Sequence, residues 1–128
     1  MMLSEELYPQ RVFYYFEQIA AIPHGSRNTK AISDYLVNFA KEHNLVWYQD
    51  ENNNVVIVKE ASAGYEAAEP IIIQGHMDMV CEKEKGVDID FEKDGLKLYI
   101  DGDFLKAEGT TLGGDDGIAV AYALALLD

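Results

Sequence analysis

The stretch Ile71–Val80, IIIQGHMDMV, decides how the chain is read. Three β-branched residues lead toward a glycine, and His76 and Asp78 follow it two residues apart. An apolar run of this kind predicts a strand, Ile71–Gly75, covered on both faces. Residues two apart on a strand share a face, so His76 and Asp78 project together. They do so at the C-terminal end of the strand, where open α/β sheets collect their functional groups. Gly75 leaves room there for a close approach. A metal-binding imidazole commonly donates its second N–H to a carboxylate, and Asp78 is well placed to hold His76 in this way. H-x-D alone is a weak pattern, and its spacing by itself favours a satisfied histidine beside a solvated aspartate.

Working outward, the flanking segments supply an α/β alternation. Val12, Phe13, Phe16, Ile19 and Ala20 recur at helical spacing, predicting a helix over 8–21. IPHGS interrupts it. Ser26 then reads as the N-cap of a second helix over 27–43, whose stripe is Ile32, Tyr35, Leu36, Phe39 and Ala40. LVWYQD and NVVIV flank ENNN as a hairpin, and LKLYI and FLKA flank Asp101-Gly102-Asp103 as another. The run from Ile118 to Leu127 predicts a helix apolar on every side, which must be buried on every side. The chain ends with that helix, so the expectation is a piece of a larger α/β protein.

Composition narrows the function classes. The 128 residues suit one domain, with acidic residues outnumbering basic ones 23 to 10 for a net charge of −13. Such a polyanion argues against nucleic acid or an anionic membrane as partner. Cys81 is the only cysteine, which fits a reducing compartment. The start carries no basic region followed by an apolar one, and the longest apolar run falls well short of the ~20 residues of a membrane span. A soluble cytoplasmic protein is expected.

The second chemical motif is Gly113-Gly114-Asp115-Asp116-Gly117, directly before the apolar helix. A carboxylate is favoured at a helix N-terminus, so either aspartate could be a simple cap. Two aspartates among three glycines exceed what a cap needs, and one could reach toward a metal pair. If this motif meets His76 at one sheet edge, the histidine nitrogen and carboxylate oxygens suit zinc, or manganese and cobalt as substitutes.

Other candidates have simpler explanations. DIDFEKDGLKLY opens like a calcium loop at Asp88 and Asp90, but Lys93 and Tyr99 stand where a glycine and a glutamate are required. His24 and His43 fit capping or solvent exposure better than ligation. Cys81 has no cysteine partner and no activating base, and reads as structural.

GHMDMV followed by DGDFLKAEGTTLGGDDGIAVAYALALL resembles the front of the co-catalytic zinc aminopeptidase and carboxypeptidase superfamily. Together with AAIPHGS before a helix, it is most similar to the bacterial aminoacyl-histidine (Xaa-His) dipeptidase branch. The resemblance covers nearly the whole chain. It implies an α/β fold, the N-terminal part of a zinc-peptidase catalytic domain with a mixed sheet flanked by helices. It further implies that His76 ligates one zinc, that Asp115 bridges two, and that Asp78 is catalytic through its hold on His76. The peptide after the bridging aspartate is often cis in the family, here Asp115–Asp116. Many relatives read Gly-Ala-Asp-Asn-Gly, and Gly114 and Asp116 depart from that without removing a ligand. By the same resemblance, a water between the two ions attacks the peptide carbonyl after a glutamate takes its proton. That glutamate belongs to a Glu-Glu pair which, with a further acidic ligand, a C-terminal histidine and a lid domain used for dimerisation, would lie beyond residue 128. Residues 1–128 alone are therefore expected to be inactive and to hold metal weakly. The complete enzyme is expected to be a homodimer acting on small peptides. A tripeptidase or deacylase of the same superfamily, or a non-catalytic α/β binding module, are the alternatives.

Overall fold

The computed structural model describes residues 2–128. After a short 3-10 turn, Leu3–Glu6, come helix α1 (Gln10–Ala20) and helix α2 (Lys30–Glu42). The hairpin of β1 (Val46–Gln49) and β2 (Val55–Val58) follows, then a long extended stretch. The hairpin of β3 (Leu98–Asp101) and β4 (Phe104–Ala107) leads into helix α3 (Gly114–Leu127).

The helices form where their apolar stripes demand. Val12, Phe16, Ile19 and Ala20 of α1 are buried, as are Ile32, Leu36, Phe39 and Ala40 of α2. α3 closes the cluster by laying Gly117, Ala121 and Leu124 inward, with α1 as its main partner. Its apolar circumference is not covered on every side, since Tyr122 and Leu126 stand in solvent, which is what a piece of a larger protein should show. A cluster at its end fastens α3 to the other helices. Asp128 accepts from Arg11 Nε at 2.8 Å and Tyr15 Oη at 2.8 Å, and meets His43 Nε2 at 3.2 Å. Burial, with this contact second, pushes the Tyr15 hydroxyl up to about 12.

Both hairpins take the expected turns. Val46 pairs with Val58 and Gln49 with Val55, and Asp50 Oδ1 accepts the N–H groups of Asn52 and Asn54 across the bend. Leu98 pairs with Ala107 and Asp101 with Phe104, with Gly102 at φ 61° in the turn. Strand alternation sends Val55 and Ile57 toward the core while Val56 and Val58 face water.

The expected α/β class is present, but its sheet component is two separate antiparallel hairpins. The strand read at Ile71–Gly75 is corrected. The segment forms no ladder among the described residues, and Ile71 and Ile72 are 86% and 92% exposed. Its sequence has the composition of a doubly covered strand, yet strand formation needs backbone partners on a neighbour. The one parallel pairing nearby is an isolated bridge between Gly25 and Met79.

Candidate active site

Two motifs far apart in sequence meet at the start of α3. His76 Nε2 lies 3.0 Å from Asp115 Oδ1, and His76 Nδ1 lies 3.0 Å from both the Asp78 carboxylate Oδ1 and the Asp78 carbonyl oxygen. A doubly protonated ring donates to both sides. These contacts, the one to Asp115 foremost, raise the His76 pKa above the ordinary histidine value. The site is open: the His76 side chain is 53% exposed and that of Asp115 96%.

The adjacent aspartates divide their tasks, and neither caps the helix through its side chain. Asp115 faces the imidazole, whereas Asp116 Oδ2 accepts the backbone N–H of His76 at 3.1 Å. Gly113 sits at φ 76°, Asp115 and Asp116 are non-helical, and the peptide joining them is cis, as the resemblance implied. Gly75 is the counterpart of that turn, because a Cβ there would stand 2.7 Å from Asp116 Oδ2. The close approach that Gly75 permits is thus made by a carboxylate of the same chain.

Two residues near the site were misread from sequence. Ser26 does not cap α2, which begins after Thr29. Its hydroxyl donates to Asp78 Oδ2 at 2.6 Å, and that bond is the leading reason the Asp78 carboxyl is held below its ordinary value. His24 is neither exposed nor a cap. It is 3% exposed, with Nδ1–H donating to the Ile22 carbonyl at 2.7 Å, and burial lowers its pKa. Both corrections share one cause. The turn 22–26 pairs with the segment around Met79, and no local pattern encodes a contact between residues 52 apart in sequence. His43 and Cys81 follow expectation. His43 is the C-cap residue of α2, and Cys81 is half-buried with its thiol pKa raised by burial. The calcium-like stretch is an ordinary turn closed by Asp90 and Asp94 on backbone N–H groups.

The donor set fits part of a metal site. Two ligand atoms on one tetrahedral zinc, each ~2.0–2.1 Å from the ion, stand roughly 3.3 Å apart. His76 Nε2 and Asp115 Oδ1 are separated by nearly that distance. Among the described residues no group of three or more His, Cys, Asp or Glu side chains is arranged to hold an ion.

The helices, the two hairpins and this turn-built constellation form one α/β unit. No protein-family model matches the chain. The cytosol non-specific dipeptidase of Escherichia coli (strain K12) is 43% identical over 122 residues, which is 95% of this chain and 25% of that protein. The crystal structure of aminoacylhistidine dipeptidase from Vibrio alginolyticus superposes with a TM-score of 0.93 at 39% identity, over 97% of this chain and 25% of that one. The chain is a homologue of these dipeptidases and spans about a quarter of their length. No helix is long and apolar enough to cross a membrane among the described residues.

Proposed function

We propose that this chain is the N-terminal segment of the catalytic domain of a metal-dependent dipeptidase whose complete form hydrolyses small Xaa-His-type peptides. The observation that carries the proposal is the convergence of His76 Nε2 and Asp115 Oδ1 at 3.0 Å, in a chain 43% identical to a dipeptidase. His76 through Nε2 and Asp115 through its carboxylate would hold zinc, with manganese or cobalt as substitutes. When bound, a pair of such ions polarises the peptide carbonyl and lowers the pKa of water enough to make it a nucleophile near neutral pH.

The chain's own residues prepare the site. Asp78 accepts the Nδ1 proton of His76, which directs the Nε2 lone pair outward once its proton is displaced. Asp116 holds the His76 backbone, so the ring is anchored at both ends. The Glu-Glu pair, the remaining ligands and the lid lie outside residues 1–128 on this reading. The same reading makes the complete protein a cytoplasmic homodimer without nucleic-acid or membrane partners. The word "cytosol" in the relative's name supports the compartment.

In the complete protein, His76→Ala should abolish Xaa-His hydrolysis. It should also weaken zinc binding beyond the ~10–100-fold that loss of a supporting partner such as Asp78 costs. Hydrolysis that survives His76→Ala would refute the assignment. Zinc-dependent cleavage of an Xaa-His dipeptide by the purified 128-residue chain would refute the division of the site between this segment and the rest.

A further inference from the structure

We propose that Ser26 is a positioning residue: its hydroxyl fixes the Asp78 carboxylate and, through it, the ring of His76. The proposal rests on the reading of His76 as a metal ligand. Ser26 Oγ donates to Asp78 Oδ2 at 2.6 Å while His76 Nδ1 meets Oδ1 of the same group at 3.0 Å. With each oxygen committed to a different partner, the carboxylate cannot rotate without losing one of them. The hydroxyl does this without adding charge, so Asp78 keeps its full negative charge for the imidazole.

A serine–carboxylate bond in a solvent-facing turn ordinarily contributes little, because water competes for both groups. This one is held in place by its surroundings. Met79 N–H donates to the His24 carbonyl at 2.9 Å, and Ser26 N–H donates to the Met79 carbonyl at 3.2 Å. These bonds clamp the turn to the segment that carries Asp78. Beneath it the buried His24 ring is tied to the Ile22 carbonyl. The turn also sits as near as its backbone permits, since a Cβ on Gly25 would stand 2.8 Å from Cys81 Sγ. The backbone alone therefore closes the turn, which leaves the hydroxyl free for Asp78.

The test compares the wild-type complete protein with Ser26→Ala, Ser26→Thr and Asp78→Asn. Zinc affinity is read by competition with a chromogenic chelator, using zinc alone. The His76 ring is followed by 15N–1H spectra of histidine-labelled protein, assigned against His76→Ala, and kcat and KM are measured with an Xaa-His dipeptide. Ser26→Ala is expected to weaken zinc binding about three- to tenfold, less than the ~10–100-fold for Asp78→Asn. It should also displace the His76 Nδ1–H signal and lower kcat with KM unchanged. Ser26→Thr, which keeps the hydroxyl, should restore all three. A Ser26→Ala protein matching wild type in zinc affinity and Nδ1–H signal overturns the proposal, as does a threonine variant as impaired as alanine. Wild-type protein that takes up no zinc overturns the metal reading and this proposal with it. A failure of the proposal alone leaves the wild type loaded and active.

Discussion

Ile19, Ile32 and Leu124 are sealed from water, while Ile71 and Ile72, equally apolar, are almost fully exposed. The difference lies in how each region satisfies its backbone. Helices α1, α2 and α3 make their hydrogen bonds internally, so their apolar stripes need only side-chain neighbours to be buried. The stretch 71–75 needs a partner strand for every N–H and C=O, and among the described residues it has no ladder. The site stands at the border between these regions. Asp115 and Asp116 open the packed helix α3, and His76 and Asp78 end the unpaired stretch. The packed side fixes one half of the constellation, and the Asp116 and Ser26 bonds tether the other half to it.

Four substitutions challenge this contrast, each read by urea denaturation. Ile19→Ala should have the largest effect, a loss of about 2–5 kcal/mol from an empty space in a closed core. A cost under about 1 kcal/mol would mean the helical side is far looser than it stands. Gly75→Ala tests the border and should cost about 1–3 kcal/mol, because the new Cβ displaces Asp116 Oδ2 from the His76 N–H. An unchanged midpoint would show that Asp116 is no tether.

Asp128→Asn tests the fastening of α3 and should cost no more than about 1 kcal/mol, since Arg11 is half exposed. The Arg11 hydrogen bond holds the Asp128 carboxyl below its ordinary value of 3.8. Its contribution is therefore complete above that pH and is lost as pH falls through the lower folded value. The variant and wild type should differ at neutral pH and converge in strong acid; a difference that persists in acid contradicts the assignment. Ile72→Thr should have the smallest effect, within about 0.5 kcal/mol, as expected for an exposed position. A larger, concentration-dependent loss would show that this surface is covered by a second chain in solution.

The helical stripes and both hairpin turns were legible in the sequence because each has a local signature, whereas the meeting of H-x-D with GGDDG was implied only by resemblance. Ile32, Leu36 and Phe39 mark their face by spacing, and Gly102 marks its turn by residue type. Even the Asp115–Asp116 cis peptide was implied, though by resemblance and not by propensity. Ile71–Gly75 misled because composition reports what a strand would like to touch and not whether a neighbour is there. Helix α3, apolar all round, packs inward through Gly117, Ala121 and Leu124 and leaves Tyr122 and Leu126 exposed, as the expectation of a larger protein required.

The sequence by itself determined the helices and the hairpins and singled out His76, Asp78 and Asp115 as candidates, since these depend on period and residue type over a few positions. Only the tertiary structure decided that Ser26 serves Asp78, that His24 is buried beneath the turn, and that Asp116 holds the His76 backbone while Asp115 faces its ring. Each of these is a contact between segments distant along the chain, set by how the turn at 22–26 and the start of α3 pack against residues 75–79. Hydrogen bonds of that kind are chosen by distance and direction in space, which no single stretch of sequence specifies.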